Sequence, residues 1–131
     1  MRESATGQTA RDSYPNWIAA QAASANGRNA EALDYFRRAV TSPEPVNEVF
    51  ETYVKALEND GKLAPALGEA EKASRLFGDV PDWTVTRIRL NRKLGNTVVA
   101  QTMTINCGVN TPNYRSECNE ANQTPAPPAH R

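Results

Sequence analysis

Gly27, Gly61 and Gly95 recur at a spacing of 34 residues, and two small residues follow each of them at fixed offsets. These are Ala32 and Ala39, then Ala66 and Ala73, then Ala100 and Cys107. A strict period in this range marks repeated helical hairpins, and it constrains the fold more tightly than any composition argument. Each glycine stands where one helix must stop and turn, since it enters the left-handed region without a Cβ clash. The two small residues of a repeat lie seven apart on one helical face, where neighbouring helices must approach closely. Asn29 and Asn96 are placed to cap the helices that follow, and Pro65 falls in a first turn, where its missing N–H does no harm. Pro43, Pro45 and Pro81 separate one helix pair from the next. The expected helices are 14–26, 29–41, 46–59, 63–76, 82–94 and 97–107.

The segment "TVVAQTMTINC" also carries the Thr, Val and Ile content of a strand. A lone strand at the end of a helical series has no partner, so helix is the expectation there. Beyond it, Gly108 reads as a stop, Thr111 as a cap and Pro112 as a first helical residue, giving a short seventh helix over 112–122. Residues 1–12 read as a disordered linker, 13–122 as the helical domain and 123–131 as a Pro-rich disordered tail.

The 15 basic and 15 acidic residues cancel, so no global field draws the chain to nucleic acid or anionic lipid. The most basic stretch, "RIRLNRK", has only Trp83 near it, whereas nucleic-acid binding wants several such patches with stacking aromatics. The longest apolar stretch, "WIAAQAASA", is too short to span a bilayer. "MRESATGQTARD" has no apolar core and is no secretory signal as it stands, though it suits a trimmed mature sequence.

At this point the chain resembles the tetratricopeptide repeat family, over roughly residues 13 to 107. The first repeat carries the resemblance through Ala20, Gly27, Ala32, Tyr35, Phe36 and Ala39. The second does so through Tyr53, Leu57, Gly61, Ala66 and Ala73, with Val54 and Ala70 departing from the pattern. The third departs most: Arg87 stands for an apolar residue, Ile88 for a small one and Thr104 for an aromatic. The resemblance implies an all-α, right-handed solenoid of three helical hairpins plus a capping helix.

It also implies a groove, lined by the first helix of each repeat, that receives an extended peptide or a partner helix. The matching positions are Tyr14, Trp17, Ile18 and Gln21, then Glu48, Glu51, Thr52, Lys55 and Glu58, then Asp82, Val85, Thr86, Arg89, Arg92 and Lys93. Such a groove would run from aromatic through acidic to basic, and suit a ligand with an apolar anchor at one end and acidic residues at the other. The bland alternative is a set of solvated helix faces whose charges pair locally. Some relatives hold a chaperone's terminal carboxylate with a Lys and Asn clamp. The corresponding residues here, Trp17, Gln21, Thr52, Asp82 and Thr86, supply no cation, which argues against that ligand.

No enzyme is expected. The single histidine, His130, lies in the tail, so no Ser–His or Cys–His pair can form within the fold. Glu48 and Glu51 imitate a carboxylate pair, but surface carboxylates are the ordinary condition of a helix. Two thiols and one distant imidazole cannot complete a zinc site, and no cofactor is called for. Cys107 and Cys118 form either a local disulfide of an exported protein or a free pair, with Cys107 filling the small-residue position of Ala39 and Ala73.

The expected role is a protein–protein interaction module. The favoured setting is a scaffold or assembly component of a bacterial envelope, such as a pilus or secretion-system lipoprotein, periplasmic or exported. That setting rests on the cysteine pair and the polar N-terminus. The alternative is a cytosolic secretion-system chaperone of the same repeat class, and a regulatory RNA-binding protein is a third class.

Overall fold

The computed structural model describes residues 5–78 and 81–125. Among them there is no strand; the elements are α1 (Ala5–Ala25), α2 (Asn29–Val40), α3 (Asn47–Asn59), α4 (Leu63–Phe77), α5 (Pro81–Lys93), α6 (Thr97–Asn110), a 3-10 turn (Pro112–Tyr114) and α7 (Arg115–Asn122). Residues 1–4 of the expected linker and 126–131 of the expected tail lie outside the described residues.

The turns behave as the spacing requires. Gly27, Gly61 and Gly95 have φ of 77°, 79° and 85°. At the first, Arg28 N–H donates to the Ala23 carbonyl (2.9 Å) while Gly27 N–H reaches Ser24. At the third, Asn96 N–H donates to Asn91 (2.8 Å) and Gly95 N–H to Arg92. This paired arrangement satisfies carbonyls that a helix end leaves open, and its αL position is cheap only for glycine. All six small residues after the glycines are buried: Ala32, Ala39, Ala66, Ala73, Ala100 and Cys107.

The helical span divides at Gly61 into two compact units, residues 1–61 and 62–131. In the first, α1 packs on α2, α2 on α3, and α3 also meets α1. Its core holds Phe36, Val49, Phe50, Tyr53 and Leu57, with the Phe36 and Tyr53 rings stacked at 5.8 Å. Ser13 is fully buried and donates its hydroxyl to the Ala39 carbonyl (3.3 Å), tying α1 to the small face of α2. In the second unit, α5 packs against α4, α6 and α7, and α6 against α7. Ile88, Ala100, Cys107, Cys118 and Ala121 form a cluster there, with Val85 and Met103 packed on it. Trp83 is buried in this unit as core.

The last helices are where expectation and structure differ most. α6 is a helix, as expected over 97–107, but it runs on through Gly108 to Asn110. Gly108 is therefore no stop; it gives room. A Cβ there would meet Arg115 Nε at 3.2 Å, and Arg115 donates to the Gly108 carbonyl at 3.0 Å. Thr111 does not cap the following turn with its side chain; its hydroxyl donates backward to the Cys107 carbonyl (2.8 Å). Asn29 and Asn96 likewise make no side-chain cap: Asn29 is the first helical residue, and the Asn96 amide instead donates to Asn91 Oδ1 (3.0 Å). α1 begins at Ala5 and contains Pro15, which has no N–H to give to the helical ladder.

Cys107 and Cys118 are joined in a disulfide with a Cα–Cα distance of 6.5 Å, inside the ordinary range. Both halves are buried. Cys107 thus combines what the sequence leaves as alternatives: it is disulfide-bonded to α7 and also fills the buried small-residue position of α6.

Candidate functional site

The residues expected to line a groove fall into the two units. In the first unit they come together. Trp17 on α1 donates its indole N–H to the Thr52 hydroxyl on α3 (2.8 Å). Thr52 in turn donates to the carbonyl of Val49 (2.9 Å), so one hydroxyl both fixes the indole and satisfies its own helix. The bond anchors the half-buried Trp17 indole by its N–H. The Tyr14 ring meets Trp17 edge-on, with centroids 5.9 Å apart. Ile18, next along α1, is 63% exposed and Tyr14 45%.

Further along the same pair of helices, Gln21, Thr52, Lys55 and Asn59 border a shallow cleft of about 350 Å³ whose apolar wall includes Phe36 and Ala56. Glu48 and Glu51 are exposed on α3, and Glu51 accepts from Asn47 (3.2 Å). Glu58 is half-buried near the helix end and has a partner of its own. The face therefore presents an aromatic and aliphatic edge, a mixed cleft with one exposed lysine, and carboxylates on α3.

In the second unit, Arg89, Arg92 and Lys93 lie on α5, and all three are half-buried rather than splayed into solvent. Arg92 Nε donates to the Thr124 carbonyl (3.4 Å) just past α7, and Arg89 and Lys93 are also engaged. Part of the basic character read from "RIRLNRK" is thus used to fasten the segment just after α7.

Two features were missed in the sequence. Asn91 is buried, and its side chain donates to the Arg87 carbonyl (2.8 Å) while accepting from Asn96. It stands where the second repeat has buried Leu57, so the third turn is pinned by hydrogen bonds instead of packing. The available signal was an asparagine at an apolar register position, five residues before a second one. On α6, Val98, Val99, Ile105 and Val109 are exposed. Val98, Val99 and Ile105 give the segment its strand-like composition, yet it folds as a helix that leaves them exposed.

Charges elsewhere pair locally. On α2, Arg37 hydrogen-bonds Asp34, and Arg38 reaches the same carboxylate at 2.8 Å while lying over the Tyr35 ring. The hydrogen bond from Arg37, followed by the nearby Arg38 charge, holds the Asp34 carboxyl below its ordinary range. Among the described residues no cluster of His, Cys, Asp and Glu is arranged to hold a metal, and no helix is long and apolar enough to cross a membrane. Set against protein-family models, curated proteins and solved structures, the chain matches none of them.

Proposed function

We propose that this chain is a tetratricopeptide-type interaction module that binds a peptide or a partner helix on the α1–α3 face of its first unit. The observation that carries this reading is the Tyr14–Trp17–Ile18 edge, in which a hydrogen-bonded indole stands between an exposed tyrosine and an exposed isoleucine. A rigid aromatic anchor with a polar rim is what a binding surface concentrates its energy on. The ligand is a segment with an apolar side chain that covers Trp17 and Ile18. Its polar flank meets Gln21 and Lys55, while Glu48 and Glu51 reject a segment with carboxylates at that end. The disulfide supports the exported scaffold role over the cytosolic chaperone, because such bonds persist in oxidising compartments.

Peptides selected from a displayed random library against the parent protein provide the test, with affinities read by fluorescence anisotropy. Trp17→Ala is expected to weaken the selected peptides roughly thirtyfold, the scale of an interface hot spot. Its effect should not depend on salt. Lys55→Glu is expected to change affinity mainly at low ionic strength. Arg89→Glu with Arg92→Glu, in the other unit, reports whether the basic residues of α5 take part. Selected peptides that bind Trp17→Ala as tightly as the parent would remove this face as the binding surface.

A further inference from the structure

Arg87 stands at the register position that holds buried Tyr53 one repeat earlier. A cation has replaced a core residue, and the structure shows where it goes. Arg87 is half-buried on α5, and its Nε is buried with no hydrogen-bond acceptor among the described residues. A buried donor left unsatisfied is costly, and a guanidinium without a carboxylate is the more so. Arg87 borders a cleft of about 480 Å³ between α5 and α6, together with Thr84, Met103, Asn106, Asn110 and Thr111. That volume is within the range of small-ligand sites.

The lining is selective in what it offers. Among the described residues no carboxylate borders the cleft to compete for the guanidinium. Asn106 and Asn110 add side-chain amides and Thr84 a hydroxyl. Thr111 has already given its proton to the Cys107 carbonyl and can only accept. Met103 supplies an apolar surface next to these groups. Arg87 is the single cation among the described residues of the lining, which matches one negative charge and not the two of a phosphate. The guanidinium fork pairs with a planar oxyanion through two parallel N–H donors, and Nε is one of them.

We infer that the α5–α6 cleft binds a single carboxylate attached to a small apolar group, held by Arg87 and flanked by Asn106 and Asn110. Binding turns the guanidinium so that Nε and one terminal nitrogen face the carboxylate, which supplies the acceptor Nε lacks. The apolar group lies toward Met103. The site shares no residue with the α1–α3 face and does not rest on that reading. Two sources carry this chemistry: the C-terminal residue of a peptide, and a free small carboxylic acid.

Amide-resolved NMR titrations distinguish them, using N-acetyl-leucine, its amide, a hexapeptide ending in leucine as free acid or as amide, and inorganic phosphate. The acids are expected to give saturable shifts at Thr84, Asn106 and Asn110, and the amides none. Arg87→Gln should weaken the acids about tenfold or more, the loss expected for a charge-assisted pair, and Arg87→Lys should restore part of it. Should Arg87→Gln disturb the spectrum as a whole, Asn110→Ala takes its place, with a smaller loss expected. A hexapeptide acid at least about tenfold tighter than N-acetyl-leucine assigns the site to a chain terminus; equal affinity assigns it to a small acid. Absence of saturable shifts, equal binding of acid and amide, unchanged affinity in Arg87→Gln and Asn110→Ala, or tighter binding of phosphate overturns the proposal.

Discussion

Removing the Cys107–Cys118 bond should lower the stability of the second unit by about 3 kcal/mol, the loop-closure value for a short loop. The two cysteines are 11 residues apart, and the bond spans the end of α6, the 3-10 turn and the first half of α7. α7 has eight residues, too few to persist as a helix without packing. Only Cys118 and Ala121 on it are buried, so the tether contributes much of what holds it to α5 and α6. In a domain of this size the loss corresponds to a fall in Tm of more than about 10 °C. The comparison is thermal unfolding of oxidised protein, of protein under reductant, and of Cys107→Ala/Cys118→Ala. An unchanged Tm, with intact mass showing two free thiols before reduction, would mean that Cys107 serves only as a small residue.

The second large effect is expected at Ala39. It is fully buried, and α1 comes close enough for Ser13 to hydrogen-bond its carbonyl. Ala39→Leu adds three carbons where two helices already touch, at little cost in helix propensity, and should destabilise by about 1–3 kcal/mol. Ala30→Leu on the same helix is the control, since Ala30 is exposed; a change within about 0.5 kcal/mol is expected. Equal effects of the two substitutions in denaturant unfolding would show that the small positions carry no packing constraint.

These two predictions rest on different degrees of legibility. The glycine and small-residue spacing could be read because both are local requirements: a left-handed turn and a helix face with no room. They recur in the structure as positive φ at Gly27, Gly61 and Gly95 and as burial of the six small side chains. The capping segment was legible through Pro112, which fixes a first helical turn. Gly108 was misread because a glycine near a helix end looks the same whether it frees φ or makes room. Only the position of Arg115, seven residues on, separates the two. The division at Gly61 has no local signature, since it depends on which helices pack rather than on where they end.

The candidate site was legible in part for a similar reason. Tyr14, Trp17, Ile18 and Gln21 follow from helical register alone. That the Trp17 indole is fixed by Thr52 depends on how α1 and α3 meet, which no spacing reveals. Arg92 is expected in the groove, because nothing in "RIRLNRK" indicates that Thr124, 32 residues later, lies within its reach. Arg87 was noticed as an anomaly in the repeat, and its cleft became visible only once α6 lay beside α5.

A backbone NMR assignment, read as secondary Cα shifts and HN–Hα couplings, tests the all-helical series and its glycine turns most directly. Continuous helical shifts over Thr97–Asn110, with no break at Gly108, should appear together with positive-φ couplings at Gly27, Gly61 and Gly95. Strand-type shifts across 97–107, or glycines with negative φ at those three turns, would contradict it.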